Sequence, residues 1–310
     1  MSTPKRHHYL PQFYLEGFCR DGYLWVFDSE NEEYRRQTPK NTAVEKDFYT
    51  VVNKDGEKNN EIEKILSNVE SWAKPVIHKI EAREPLSQDD RDLLSLFISF
   101  IKHRVPDFEN FVNEFYEKTI KRVCQIMYSS EDNTRQILSK FEEETGEKLD
   151  GDPQDFMEFV KRDNYTLKMN RQLTLASMLN QSPDFANYLR QMEWVFTCAP
   201  ENTSYVTTDN PFLLLPPEDY NPNNPYGVGI LTPGAKKIVP LTKNTCLWMY
   251  ERGDSTTYAD VTEKDVDMIN LVIASSCDRF LIGQDKSQVE NLVEIVHLPL
   301  KNKVERIKVY

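Results

Sequence analysis

The stretch DLLSLFISFIKHR, residues 92–104, decides the fold class, because it is apolar on nearly all sides and therefore predicts a buried central helix. Ser87 and Asp90 form a capping-box pattern shortly before it, which is typical of a helix start. Pro106 follows it, which predicts that this helix ends there and that another helix begins. The middle of the sequence is therefore organised around one buried helix.

Outward from this helix, the composition of the chain changes twice. Helical spacing of apolar residues fills residues 56–193, whereas short β-rich runs occupy residues 1–55 and 194–310. These patterns predict an α+β protein in which a helical bundle is inserted between N-terminal and C-terminal β-rich segments that form one mixed sheet region. Two alternatives remain open, a single domain over residues 1–310 and two separate domains joined near Trp194.

Local patterns predict the elements around the candidate residues. LPQFYLEGF (residues 10–18) is typical of a short helix, and YLWVFD and EYRRQT around a SENE turn predict a hairpin. Pro75 predicts a kink or break in the first long helix. We expect residues 216–234 to form a long irregular loop, and LVEIVHLPLKNKVERIKVY (residues 292–310) to form a strand and a basic tail.

Composition excludes several classes of protein. The 310 residues include 38 Lys and Arg against 50 Asp and Glu, and the resulting charge of −12 disfavours a broad cradle for a nucleic-acid duplex. No apolar run approaches the roughly 18 residues that a membrane span needs, so we expect no membrane association. The five cysteines are far apart and lack a CxxC pair, and the first residues lack an apolar signal region. We therefore expect free thiols and a cytoplasmic protein.

Two adjacent histidines precede the first helix. In an extended backbone His7 and His8 point to opposite sides, so only one can face a given pocket. A neutral imidazole can bind a metal or transfer a proton near neutral pH. The alternative is that both rings hydrogen-bond to backbone groups and hold the N-terminal segment in place.

A second candidate lies in SYVTTDNPFLLLP, residues 204–216. A short strand presents Asp209 and Asn210 at its end, where a carboxylate can serve catalysis or metal binding. Asp-Asn-Pro is also a good turn sequence, so Asp209 can instead accept hydrogen bonds from its own loop.

The order of several motifs resembles a known family. HHYLPQFYLEGF, WVFD, PKNTA, VTTDNPF and IVPLT follow one another as in the domain-of-unknown-function family 4238, which is bacterial and fungal. Its members open with an HHYxPQFYLxxF-like motif and carry a TSDNP-like element, in which Thr208 here replaces the typical serine. The resemblance implies no established activity, cofactor or catalytic residue. It brings forward the positions that match the family pattern: His7, His8, Gln12, Asp28, Asn41, Asp209 and Asn210.

The first functional hypothesis is a metal-dependent phosphodiester hydrolase, a nuclease with a role in bacterial defence or as a toxin. Its catalytic residues would be His7, His8, Asp209 and Asn210. Its divalent metal, Mg²⁺ or Mn²⁺, would be bound by His8, Asp209 and Glu63 and would activate water. Glu63 lies on one flank of its helix, where charged side chains usually face solvent.

The nuclease would need to hold its substrate. Gln12, Asn41 and Arg104 are the candidate substrate-binding residues, since an inward guanidinium can bind a phosphate through two hydrogen bonds. A local basic patch around RRQTPK, with the basic residues of both termini, would contact nucleic acid.

The second hypothesis is a non-catalytic protein-binding module in which HHYLPQFYL is a structural clasp that docks on the late β region. Aromatic residues such as Tyr9 and Tyr14 favour it, because they bury large areas. The two hypotheses predict different geometry. Imidazoles within about 5 Å of the Asp209 carboxylate across an open cleft would favour the enzyme, whereas buried and fully hydrogen-bonded side chains would favour the clasp.

Overall fold

A computed structural model describes residues 6–52, 58–149, 151–167, 169–222 and 227–298. The chain divides into two compact units. One combines Met1–Asp107 with Met178–Tyr310, and the other is Phe108–Ser177. The helices and sheets of the described residues confirm the α+β fold class.

Helices occupy the middle of the chain and part of its C-terminal region. The described residues form α1 (Gln12–Glu16), α2 (Glu61–Glu81), α3 (Gln88–His103), α4 (Pro106–Met127), α5 (Glu131–Thr145), α6 (Pro153–Arg162), α7 (Arg171–Arg190), α8 (Glu263–Ser275) and α9 (Lys286–Ile295).

Strands lie toward both ends of the chain. They are β1 (Arg6–His8), β2 (Leu24–Asp28), β3 (Glu33–Gln37), β4 (Val44–Lys46), β5 (Val51–Val52), β6 (Lys58–Asn59), β7 (Met192–Cys198), β8 (Thr207–Thr208), β9 (Leu213–Leu215), β10 (Lys236–Pro240), β11 (Thr245–Arg252), β12 (Thr256–Asp260) and β13 (Phe280–Gly283).

Two larger sheets replace the single mixed sheet region expected from the sequence. The five-stranded sheet has the order β12-β7-β11-β10-β9 and is mixed, because β12 runs parallel to β7 whereas the other pairs are antiparallel. The four-stranded sheet has the order β3-β2-β13-β8 and is antiparallel. It joins the predicted N-terminal hairpin to strands from the late part of the chain, so both β-rich segments do contribute to one sheet.

The helix patterns agree with the structure, with one difference in α2. Ser87 caps α3 in a capping box with Asp90, as expected, and α4 begins at Pro106. Helix α2 continues through Pro75 instead of breaking there. Buried residues lie on both sides of the proline, Ala73 before it and Val76 after it, so packing on both sides outweighs the loss of one backbone hydrogen bond.

The C-terminal expectation was wrong where it can be compared. Leu292–Ile295, expected to start a strand, belong to α9. Val289, Leu292 and Val293 are buried at helical spacing against the core of the four-stranded sheet. The basic tail, residues 299–310, lies outside the described residues.

The N-terminal segment runs through β1 into a short helix. β1 pairs with β4, with His7 opposite Glu45. Pro11 immediately precedes α1, and Pro39–Asn41 form a single 3₁₀ turn. All five cysteines are free thiols, as expected. Among the helices of the described residues, none has the length and apolarity to cross a bilayer.

Candidate functional site

His7 is completely buried, and both of its ring nitrogens face protein groups. Its Nδ1 accepts a hydrogen bond from the backbone N–H of Tyr49 at 2.8 Å, so the ring proton resides on Nε2. Nε2 lies 2.7 Å from Oε2 of Glu63, whose side chain is 35% exposed. The imidazole also stacks on the Tyr49 ring with a centroid distance of 5.6 Å. Glu63 is therefore the partner of His7, and it faces the site and not only solvent.

His8 points to the other side of β1, as alternation along a strand requires. Its Nε2 lies 3.0 Å from the carbonyl oxygen of Lys40, and Nδ1 lies 3.5 Å from Nε2 of Gln12. Partial burial lowers the pKa of His8 below its usual value, although the carbonyl of Lys40 acts in the opposite direction. His8 is therefore a neutral ring that connects β1 to the 3₁₀ turn and to α1.

Arg104, at the end of α3, ties the N-terminal segment to two other elements. It is 5% exposed, and its Nη2 donates to the backbone carbonyl of His8 at 2.6 Å. Nη1 donates to Oε1 of Glu70 at 2.6 Å, and Nε donates to the Tyr49 hydroxyl at 3.0 Å. Three of its donors thus have acceptors within the protein. Arg104 is therefore a structural link between these segments, and its predicted role in substrate binding stays a prediction.

Asp209 lies at the end of β8, and it is 4% exposed. Its Oδ1 accepts from the backbone N–H of Asp278 at 3.1 Å, and Oδ2 accepts from that of Arg279 at 2.8 Å. Burial, together with the charge of Asp278, raises the pKa of Asp209 to about 7, because the two amide donors compensate only part of the desolvation. Burial also raises the pKa of Tyr9, to which the nearby Asp209 charge contributes.

Asn210 has a separate set of contacts. Its side-chain amide donates to Oδ2 of Asp107 at 3.0 Å, and its backbone N–H donates to the Thr208 hydroxyl at 3.2 Å. The expectation that Asp209 accepts hydrogen bonds from its own loop was wrong, because its oxygens accept from Asp278 and Arg279, far along the chain. Within the loop, the Thr208 hydroxyl stabilises the backbone instead.

Asp28, one of the positions brought forward by the family pattern, is the centre of a buried ion-pair cluster. Its carboxylate accepts from Nε and Nη2 of Arg279, both at 3.0 Å, and also from Arg35. Burial alone would raise the pKa of Asp28, but the hydrogen bonds and charge of Arg279 outweigh it and lower the pKa. Arg279 therefore links the Asp28 cluster to Asp209, which its backbone N–H contacts.

Tyr14 of α1 connects the N-terminal motif to both larger sheets. Its buried hydroxyl lies 2.7 Å from the Thr207 hydroxyl and donates to the carbonyl of Pro240 at 2.8 Å. Thr207 belongs to the four-stranded sheet and Pro240 to the five-stranded sheet. One side chain of the motif thus joins the two sheets.

An open groove lies beside α1. Its volume is about 420 Å³, and it is lined by Gln12, Glu16, Cys19, Gly22, Thr38, Pro39 and Lys40. Arg6 lies nearby, since its Nη1 is 3.4 Å from Oδ1 of Asn41 next to Lys40. Gln12 is thus the one predicted substrate-binding residue that lines this groove.

The candidate residues therefore fall into separate groups of contacts. His7 pairs with Glu63, His8 contacts Gln12, and Asp209 bonds to a loop backbone. No group of three or more His, Cys, Asp or Glu side chains within the described ranges is arranged to hold a metal ion. The catalytic and metal-binding roles of these residues remain predictions.

Sequence reasoning missed several partners of these residues. Tyr49 and Arg279 contact two candidate residues each, yet neither lies in a recognisable motif. The seven-residue spacing of Glu63 and Glu70 was the one available signal, because it places both carboxylates on the helix flank that receives His7 and Arg104.

Comparison with known proteins supports the resemblance noted in the motifs. A family model described as a protein of unknown function (DUF4238) matches residues 6–287. Searches of the curated proteins and of the solved structures gave no match. Because the matched region covers most of the chain and includes both the HHYLPQFYL and DNP motifs, the chain belongs to the DUF4238 family.

Proposed function

We propose that the chain is a non-catalytic protein-binding module whose HHYLPQFYL segment is a structural clasp. One observation carries this proposal: the ring nitrogens of His7 and His8 and the carboxylate oxygens of Asp209 all contact groups of the protein itself. Polar groups held by contacts of this kind stabilise a unique structure, although the His7 Nε2–Glu63 pair is a close contact and not a formed hydrogen bond.

The same contacts weigh against general-base catalysis by these side chains. A base needs a free lone pair within hydrogen-bond reach of the substrate proton. The Nδ1 lone pair of His7 is occupied by the Tyr49 N–H, and Nε2 carries the proton beside Glu63. Both Asp209 oxygens accept from backbone amides in a site that is 4% exposed.

The clasp acts through long-range links. Arg104 holds the His8 carbonyl against Glu70 of α2, while Tyr14 holds α1 against both larger sheets. A segment fixed in this way presents a rigid surface, which lowers the entropic cost of binding a partner. The net charge of −12 favours a partner with a basic surface.

Replacing His8 with Ala tests the clasp against the enzyme. We expect a lower melting temperature, because the replacement removes the contacts to Lys40 and Gln12. His78→Ala is the matched control, since His78 is exposed on α2. A His8→Ala protein that melts like the wild type would contradict the clasp.

The metal-dependent nuclease is the second candidate, favoured by the groove with its Gln12 and Lys40 side chains beside His8. Cleavage of RNA and DNA should be measured with Mg²⁺ and with Mn²⁺. Metal-dependent cleavage that is lost in His8→Ala and Asp209→Asn, at an unchanged melting temperature, would support the nuclease and overturn our proposal. The absence of cleavage under all these conditions would favour the binding module.

A further inference from the structure

Helix α4 carries an apolar stripe that is only partly buried. Phe108 and Val112 are buried near its start, whereas Phe115 is 56% exposed, Val123 is 47% exposed and Ile126 is 61% exposed. Their successive spacings of four, three, eight and three residues place all five side chains on one side of the helix. The stripe therefore continues onto the surface for more than two turns beyond its buried part.

Further apolar side chains widen this exposed surface. Ile120 and Met127, which flank the stripe, are 36% and 43% exposed. We call the exposed set formed by Phe115, Ile120, Val123, Ile126 and Met127 the α4 surface. Apolar side chains grouped in this way are typical of protein–protein contacts, because isolated exposed residues are common but contiguous sets are not.

A row of charges borders the α4 surface and reverses its sign along the helix. Glu114, Lys118 and Arg122 follow one another at four-residue intervals, so they lie in one row along one edge of the stripe. The row is acidic toward the start of α4 and basic toward its end. Lys118 pairs with Glu114 at 3.2 Å, and both side chains are more than half exposed.

We propose that the α4 surface binds a second copy of this chain, with the two α4 helices antiparallel about a two-fold axis. Such an axis brings the same edge of both helices together with opposite direction, so the acidic start of one row faces the basic end of the other. In a parallel pair, whose two-fold axis runs along the helices, the two rows would lie on opposite edges and would not meet. The sign reversal is therefore complementary to itself only in the antiparallel arrangement.

This inference is independent of the proposed function, because it uses no residue of the clasp. Its physical basis is the removal of Phe115, Val123 and Ile126 from water, while the charged row selects the orientation. A different protein partner would leave the chain monomeric on its own, so the oligomeric state distinguishes the two occupants.

Sedimentation velocity over a wide range of protein concentration tests the proposal first. We expect a monomer–dimer equilibrium for the wild-type chain and a dissociation constant raised about tenfold or more in Phe115→Ser. Met268→Ser, which changes a 50% exposed side chain on α8, is the matched control and should dimerise like the wild type. A wild-type chain that stays monomeric, or dimerisation that is unaffected by Phe115→Ser, would overturn the proposal.

A charge exchange tests the orientation. Glu114→Lys makes the row entirely basic, and the double variant Lys118→Glu/Arg122→Glu makes it entirely acidic. We expect each protein alone to dimerise more weakly than the wild type and an equimolar mixture to form a heterodimer. Melting temperatures close to the wild-type value would establish that the variants are folded. If the folded variants do not associate when mixed, or if each alone dimerises as well as the wild type, the antiparallel arrangement is wrong.

Discussion

In the unit that combines Met1–Asp107 with Met178–Tyr310, charged side chains are buried, whereas in Phe108–Ser177 large apolar side chains are exposed. The first unit encloses His7, Asp28, Arg104 and Asp209 at 5% exposure or less. Among the described residues of the second unit no charged side chain is buried, yet Phe115 and Ile126 are more than half exposed. Each unit departs from the usual arrangement of apolar residues inside and polar residues outside, in opposite directions.

Buried charges and exposed apolar side chains are both energetically unfavourable, but they have different consequences in the two units. A buried charge requires partners in fixed positions, so the first unit encodes one arrangement of distant segments. Arg91 illustrates this: it is 4% exposed, donates to the carbonyls of Arg190 and Met192 and lies over the Trp194 ring at 4.1 Å. Exposed apolar groups specify little within a unit, but they provide free energy for association.

The largest expected effect is the loss of the Arg104 links. Arg104→Met would leave Glu70, the Tyr49 hydroxyl and the His8 carbonyl without this donor, and we expect the free energy of unfolding to fall by about 4 kcal/mol. Urea denaturation measures the change. Arg135→Met is the control, because this arginine belongs to an exposed i,i+4 pair in the other unit and should have no measurable effect. An equal fall in the free energy of unfolding of Arg104→Met and Arg135→Met would contradict the view that only the first unit depends on buried charges.

An effect of comparable size should depend on pH. Because the pKa of Asp209 is about 7 in the folded protein and 3.8 ordinarily, the folded state binds more protons than the unfolded state between these values. Asp209 therefore favours folding at low pH, and this contribution is lost as the pH rises to about 7. We expect a loss on the order of 4 kcal/mol, measured by urea denaturation at several pH values.

Asp209→Asn should flatten this pH dependence, since the amide does not ionise. Asp219→Asn changes an exposed aspartate between β9 and β10 and should retain the wild-type profile. A wild-type profile in Asp209→Asn would show that another group is responsible for the pH dependence.

The smallest expected effect concerns the link between the two sheets. Tyr14→Phe removes one hydroxyl that contacts Thr207 and Pro240, and we expect a loss of about 1.5 kcal/mol in the free energy of unfolding. Tyr188→Phe, at a 41% exposed position, should differ little from the wild type. If Tyr14→Phe and Tyr188→Phe had the same free energy of unfolding, the buried Tyr14 hydroxyl would make no net contribution to stability.

Local rules predicted the helices well where the signals lie close together in sequence. The Ser87–Asp90 capping box and the apolar run after it define the start of α3, because both act within a few residues. The same local rules failed at α9, because the helical spacing of its apolar residues begins at Val289. The segment LVEIV, read from Leu292 onward, contains three β-branched residues and therefore predicted a strand. The break predicted at Pro75 does not occur, because the cost of the proline is local whereas the packing that opposes it is tertiary. A kink at Pro75 stays a prediction.

The candidate site could be predicted only as a set of unusual residues. His7, His8 and Asp209 are all at least partly buried and hydrogen-bonded, but their predicted roles stay predictions. Their partners Tyr49 and Arg279 could not be identified, because contacts across long stretches of chain leave no periodic signal. A short motif indicates that a polar residue has a structural or a catalytic role. Which of the two roles it has depends on the residues that it contacts in the fold.

The pairing of β2 with β13 has a consequence for biosynthesis. Asp28 of β2 lies opposite Phe280 of β13. More than two hundred further residues must therefore be synthesised after the β2–β3 hairpin before β13 is available to pair with it. The Phe108–Ser177 helices can form as they leave the ribosome, since their contacts are local. The nascent chain thus carries an incomplete sheet edge through most of its translation, and its exposure to chaperones should end when β13 emerges.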